Sequence, residues 1–308
     1  MEKSFVDVGG HTIIKSANLN LVTTRSCNAR CTFCYDNITF AGQGEYLEPD
    51  DEMLLKVLQL CTQVGIQKVV FTGGEPTIDP EKLLALVKVV APQFSTKRRL
   101  YSNGFGLFAD VNGKPLIEHL AGQFINKLTI SRAHQEQEKN RSIMRAREVV
   151  EADEIRRIAD MQEKTRFEVT LSAYLTPEGL FSSRDIDEYV KFGESLGVEN
   201  FVFHAGGFVA DEFRKDTPES VLHHKIGETV DIDLLVDELT KERGYKASED
   251  RHDFLRHAHK LTNGNSTITI QQSFKPEKEK DRRIYRIVLG PDRVPRSSWV
   301  DQNRVIEI

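Results

Sequence analysis

Cysteine is scarce in this chain, with four in 308 residues, and there is a single tryptophan. Four cysteines are too few for the disulfide framework of a small secreted scaffold. No stretch approaches the roughly 18 consecutive apolar residues that a membrane helix needs. The opening text MEKSFVDVGGHTIIKS has neither the apolar run nor the small-residue cleavage site of a signal peptide. These absences lead to the expectation of a cytoplasmic protein with no membrane partner. An excess of positive charge is also missing: the net charge of −5 gives no whole-chain attraction to nucleic acid, although a local basic patch stays open. No internal repeat, low-complexity tract or evident linker divides the chain.

What is present is enough apolar text, 39% of residues, to bury a full core. From Leu19 onward short β-type runs alternate with helical patterns, the signature of a parallel sheet covered by helices. Strands are expected at Leu19–Thr24, Lys68–Thr72, Arg99–Ser102, Lys127–Ser131, Arg166–Ser172 and Asn200–His204. Helices open at Pro49-Asp50-Asp51, at Asp79-Pro80-Glu81 and at Ser182-Ser183-Arg184-Asp185, where short polar residues can cap a first turn. Six βα units suit an open or partial barrel better than a closed eightfold one, and in parallel barrels the chemistry sits at the C-terminal strand ends. The fold class expected is α/β, a partial (β/α)6 barrel.

Residues 1–18 read as an N-terminal β-hairpin, Phe5–Val8 and Thr12–Ile14 around Gly9-Gly10. Residues 19–208 read as the barrel. Residues 209–308 read as a C-terminal, β-rich extension covering the substrate, with a soft boundary at Val209. Within Val209–His259 the one expected helix is Ile232–Glu242; further strands are expected at Thr267–Gln271 and Ile284–Leu289.

Three of the four cysteines, Cys27, Cys31 and Cys34, fall within eight residues directly after the first expected strand. Such clustering in a reducing compartment indicates metal ligation. A four-iron cluster held by three thiolates leaves one iron without a protein ligand. A zinc site is the alternative, with Cys61 or a histidine as fourth ligand, but no second paired motif accompanies the three. Strand two ends in Gly73-Gly74-Glu75-Pro76, where glycines allow close backbone approach and Glu75 can accept from an ammonium group; taken alone, this is also an ordinary tight turn.

Together, Cys-x3-Cys-x-Phe-Cys, with Phe33 between the last two cysteines, and the later Gly-Gly-Glu resemble the radical S-adenosylmethionine (SAM) superfamily. The resemblance spans about Leu19 to His204 and is closest to small single-cluster enzymes of the molybdenum-cofactor-biosynthesis and viperin class. It implies a [4Fe-4S] cluster on Cys27, Cys31 and Cys34, with SAM on the open iron. It further implies reductive cleavage of SAM to a 5′-deoxyadenosyl radical and hydrogen abstraction from a small organic substrate, nucleotide-like or a natural-product precursor. A low-potential electron donor of flavodoxin or ferredoxin type is the implied partner. By the same resemblance the SAM-binding residues are Tyr35, Gly73, Gly74, Glu75, Ser102, Asn103, Ser131, Ser172 and His204. Relatives with an auxiliary cluster carry further C-terminal cysteines; here only Cys61 is left over, in the apolar run Leu54–Val64, and it reads as a small buried hydrophobe.

Several of these positions have simpler readings. Asn103-Gly104 is a common turn pair, Ser172 can cap its own turn, and His204 can be a hydrogen-bonded core histidine. Arg132 and His134 are candidates for a substrate carboxylate or phosphate, or solvated polar residues. Lys275–Arg296 contains eight Lys or Arg against four Asp or Glu, so Arg282, Arg283, Arg286, Arg293 and Arg296 can clamp a phosphate or merely line a solvated hairpin. Competing functions are a radical SAM modifier of a peptide or protein, a non-catalytic zinc-stabilised binding module, and a SAM-binding regulator without activity.

Overall fold

Short runs rich in Val, Ile, Phe and Thr form strands here because each presents one face to a layer of helices and the other to an interior chamber. The structure, a computed structural model, describes residues 5–8, 11–31, 33–34, 45–205, 230–253, 256–273, 283–299 and 304–308. The strands are β1 (Phe5–Val8), β2 (His11–Val22), β3 (Lys68–Thr72), β4 (Lys97–Ser102), β5 (Lys127–Ser131), β6 (Glu168–Tyr174) and β7 (Asn200–Ala205). After them come β8 (Lys246–Asp253), β9 (Arg256–Asn263), β10 (Ser266–Ser273) and β11 (Arg283–Leu289). The helices are α1 (Glu52–Val64), α2 (Pro80–Val90), α3 (Leu116–Leu120), α4 (Gln137–Met144), α5 (Ala152–Ala159), α6 (Ser183–Ser195) and α7 (Ile232–Glu242).

Parallel pairing runs β11–β2–β3–β4–β5–β6–β7–β10, with β1 antiparallel to the start of β2 and β9 and β8 added antiparallel beyond β10. Among the described residues β10 and β11 do not pair, so the sheet is not closed and the partial barrel expected from the sequence is what forms. Its outer face is apolar: Leu19, Phe71, Leu100, Ile130, Leu171 and Phe203 are fully buried under the helices. Each such side chain contributes about 1.5–3 kcal/mol. The helices start where capping residues permit. Asp51 accepts from the N–H groups of Met53 and Leu54, Asp79 from Lys82, and Ser182 forms a capping box with Asp185.

Two expectations need correction. β2 is one strand from His11 to Val22, so the expected boundary at 18/19 lies inside it; β11 pairs along it from Thr12 to Leu21 and makes the two halves continuous. Residues 209–308, expected as a segment of their own, contribute β10 and β11 to the barrel sheet on its two flanks. The charged text expected to hold only a helix also forms β8 and β9, whose pairing onto β10 supplies what their polar composition does not. The turn pair Gly9-Gly10 and residues 206–229, with the soft boundary at Val209, lie outside the described residues.

Candidate functional site

The loop after β2 carries Cys27, Cys31 and Cys34, all half-buried. It is tied down at several points. The Arg30 N–H donates to Met144 O at 3.0 Å, the Asn28 amide donates to Glu148 O at 2.8 Å, and the Cys34 N–H donates to Cys31 O at 3.2 Å. Cys27, Cys31 and Phe33 pack on an apolar patch that includes Ala133, Ile143, Met144 and Val149. Burial pushes the Cys27 thiol up to about 11, and it pushes Cys31 upward further still. A thiol held protonated by burial becomes a ligand when a metal's charge replaces the proton.

The glycine turn after β3 is docked directly on this loop. The Gly74 N–H donates to Thr24 O and the Glu75 N–H to Ser26 O, each at 2.7 Å. A Cβ on Gly73 would run into the Thr24 carbonyl and one on Gly74 into the Ser26 carbonyl; Gly73 also has φ +143. The glycines are therefore required by protein backbone packed against protein backbone. Glu75 is 1% exposed. Its Oε1 accepts from the Thr77 N–H (3.0 Å), the Thr77 hydroxyl (2.6 Å) and the Ser102 hydroxyl (2.7 Å), and its Oε2 accepts from the Asn103 N–H (2.6 Å). Burial pushes its carboxyl up, and these donors oppose that shift. The side chain joins the β3 turn to the β4 turn, and both carboxylate oxygens are engaged by protein donors. Asn103 completes the joint by donating from its amide to Asn28 Oδ1 at 2.8 Å, one residue from Cys27.

Ser131 and Ser172 face each other in register at the ends of β5 and β6, and Tyr174 pairs with His204 on β6 and β7. Tyr174 stacks between Phe33, at 5.2 Å between centroids, and His204, at 5.6 Å. The Gln271 amide of β10 lies within hydrogen-bond distance of His204 Nδ1, at 3.0 Å. Sequence reading missed Tyr174 and Gln271. Tyr174 was findable, lying two residues beyond Ser172 and so on the same strand face. Gln271 was not, because nothing local reveals that β10 lies beside β7. Tyr35 lies outside the described residues.

The candidate substrate residues divide. Arg132 is 1% exposed and donates to Val150 O, Gln135 O and Gln137 Oε1 at 3.0, 3.1 and 2.7 Å, so it braces the loop between β5 and α5. His134 is buried, and its Nδ1 accepts from the Glu136 N–H; burial, then Lys139, lower its pKa. Arg293 pairs with Asp51 at 2.5 Å and Arg296 with Asp292 at 2.7 Å, so neither is set out as a phosphate clamp. Arg283 is exposed on β11, and Arg282 lies outside the described residues. Among the described members of this group only Arg286 lines the interior chamber, a cavity of about 730 Å³ between the inner faces of the strands.

The donor set fits an iron–sulfur cluster: three thiolate ligands, an apolar setting, and a backbone N–H, that of Ala29, 3.4 Å from the Cys27 sulfur. Among the described residues no three His, Cys, Asp or Glu are placed around one ion. A cluster asks each thiol for a different iron.

Residues 21–148 match the family described as the Radical SAM superfamily. Residues 21–148, less than half of the chain, thus resemble a radical SAM domain. The chain is 31% identical over 106 residues to GTP 3′,8-cyclase of Streptomyces coelicolor, covering 32% of this chain and 31% of that protein. It is 35% identical over 78 residues to the S-adenosylmethionine-dependent nucleotide dehydratase of Flammeovirga pacifica, covering 24% and 25%. The matched segments thus span about a third or less of the curated relatives' length. In fold it is similar to Streptococcus suis SuiB bound to S-adenosylmethionine, with TM-score 0.60 and 16% identity over 93% of this chain and 61% of that one.

Proposed function

We propose that the protein is a radical SAM enzyme acting on a small organic substrate held in the barrel chamber. The observation that carries this reading is the docking of the Gly73–Glu75 turn onto the cysteine loop by two 2.7 Å backbone hydrogen bonds. That contact unites the cysteine motif and the glycine motif at the C-terminal ends of a parallel sheet, where barrel chemistry sits. Cys27, Cys31 and Cys34 would hold a [4Fe-4S] cluster, with SAM beside the turns that carry Gly73, Gly74, Glu75, Ser102 and Asn103. Because the Glu75 carboxylate is taken up by protein donors, the SAM ammonium would meet the glycine turn as a whole. When bound and reduced by the external donor, the cluster would supply one electron to SAM, whose carbon–sulfur bond would break to methionine and a 5′-deoxyadenosyl radical.

The chain's own residues do the rest. Glu75 holds the two strand-end turns in one arrangement, so the cofactor meets a preorganised surface. Phe33, Tyr174 and His204 form an aromatic stack between the cysteine loop and β7. Ser131 and Ser172 sit on the inner face, where a hydroxyl can orient SAM or substrate. The reading includes an electron donor of flavodoxin or ferredoxin type and a cytoplasmic setting, where thiols stay reduced. Among the described residues no helix is long and apolar enough to cross a membrane.

The experiment is anaerobic reconstitution, then addition of dithionite and SAM, reading 5′-deoxyadenosine. Formation by the wild type and its loss in Cys31→Ala is the expected result. SAM binding without deoxyadenosine would make the protein a SAM-binding regulator instead.

A further inference from the structure

The chamber's chemistry changes from top to bottom. Its upper wall carries Tyr101 and Gln271. Two to four residues lower along the strands, about 7–13 Å at 3.3 Å per residue, its floor is cationic. Six Lys or Arg line it, namely Lys68, Lys97, Arg99, Lys127, Lys260 and Arg286, and Glu168 is the only carboxylate among its described lining residues. This concentration sits inside a chain of net charge −5.

The cations are not scattered. Lys68 stands opposite Lys97 across β3 and β4, and Arg99 stands opposite Lys127 across β4 and β5. Like charges directly opposite on neighbouring strands are destabilising, so the sheet keeps two unfavourable pairs facing its own cavity. Glu168, opposite Lys127 on β6, is in contact with its ammonium. Arg99 gives one guanidinium N–H to Tyr101 Oη at 2.7 Å, while its Nε is buried with no hydrogen-bond partner. A buried guanidinium nitrogen without an acceptor is costly unless a ligand supplies one.

We propose that the chamber floor is an oxyanion site, in which Arg99, Lys127, Lys68 and Arg286 take the multiply charged phosphoryl or carboxylate end of the substrate. The uncharged part of the substrate then extends up toward the cysteine loop. The site deepens the proposed function by naming a substrate class, and the substrate assignment rests on that reading. Anion binding itself needs neither cluster nor SAM. Burial first, then Arg99, Lys97 and Lys260, lower the Lys127 ammonium to about 7 even with Glu168 against it. An arriving anion reverses that balance and draws a proton onto Lys127.

The test is calorimetric titration of the purified full chain at pH 8 and constant ionic strength, with pyrophosphate and, separately, malonate as probes. Wild type, Arg99→Gln and Lys68→Gln are compared, and each is checked for folding by its thermal melt. Binding is expected to weaken about tenfold or more in each variant. Repeating the malonate titration, whose probe is fully ionised at pH 8, in buffers of different ionisation enthalpy is expected to show proton uptake. Tighter binding of pyrophosphate assigns a phosphoryl substrate, and tighter binding of malonate a carboxylate one. No binding of either probe, or binding undiminished in both folded variants, overturns the proposal. Iron content separates the two readings: about four iron per chain without anion binding removes this site alone, and anion binding without iron removes the cluster.

Discussion

A side chain at position 74 would meet the Ser26 carbonyl, and that carbonyl belongs to the segment leading into Cys27. Gly74→Ala must therefore push the cysteine loop away from the glycine turn. We expect a loss of about 1–3 kcal/mol, as for other steric insertions, together with reduced iron per chain. A thermal melt and an iron assay on the same preparation check both; wild-type values for both would show that the docking does not matter. Glu75→Gln addresses the same joint from the other side. The amide would turn an N–H₂ toward at least one of the donors now facing the carboxylate, leaving buried polar groups unmatched at about 1–3 kcal/mol. Denaturant unfolding of the variant reads this directly. Residues of this kind explain why the motif was legible: two glycines and an acid at a strand end carry local information. Their reason was not legible, since the backbone that requires glycine comes from far earlier in the chain and only the fold brings it near.

At the scale of elements, α1 and the turn after β11 share one residue. Asp51 caps α1 through the N–H groups of Met53 and Leu54 and also accepts from Arg293. Asp51→Ala removes the cap and the pair together. Arg293 is half-exposed, so its contribution is small, and we expect a total of about 1–2 kcal/mol. Arg293→Ala alone should cost only a few tenths, and comparing the two by urea unfolding separates cap from pair. Six central strands were readable from alternation and turn signals, with ends off by one to two residues at β4, β6 and β7, whereas β2 begins eight residues earlier and ends two residues earlier than expected. The flanking positions of β10 and β11 were not. A strand's sequence records that one face is buried, but its neighbour is set by how the whole sheet closes. For the same reason the Arg-rich C-terminal text misled: Arg293 and Arg296 have acidic partners that pattern alone does not reveal.

For the whole molecule, the cationic chamber predicts a particular pH dependence. Lys127 has a folded pKa of about 7 against an ordinary value of 10.5. Between those values the unfolded chain holds a proton that the folded chain has lost, so the Lys127 contribution to stability rises with pH across that window and is flat below it. Lys127→Met should be more stable than wild type at pH 7, and the gap should narrow by pH 9.5. Denaturant unfolding at the two pH values tests this. A variant less stable at pH 7 would mean that the Glu168 pair outweighs the crowding by like charge. The same arrangement sets an apolar shell outside and a polar, charged chamber inside, with the cations at the N-terminal strand ends and the cysteine loop after the C-terminal end of β2.

The central claim is that three cysteines hold a cluster with one iron left open to SAM. Its most direct test is iron and sulfide analysis of the anaerobically reconstituted protein, combined with the electron paramagnetic resonance spectrum of the reduced form before and after SAM is added. The expected result is about four iron and four sulfide per chain and a signal that changes when SAM binds. Zinc without acid-labile sulfide, or a full cluster whose signal is indifferent to SAM, would contradict it.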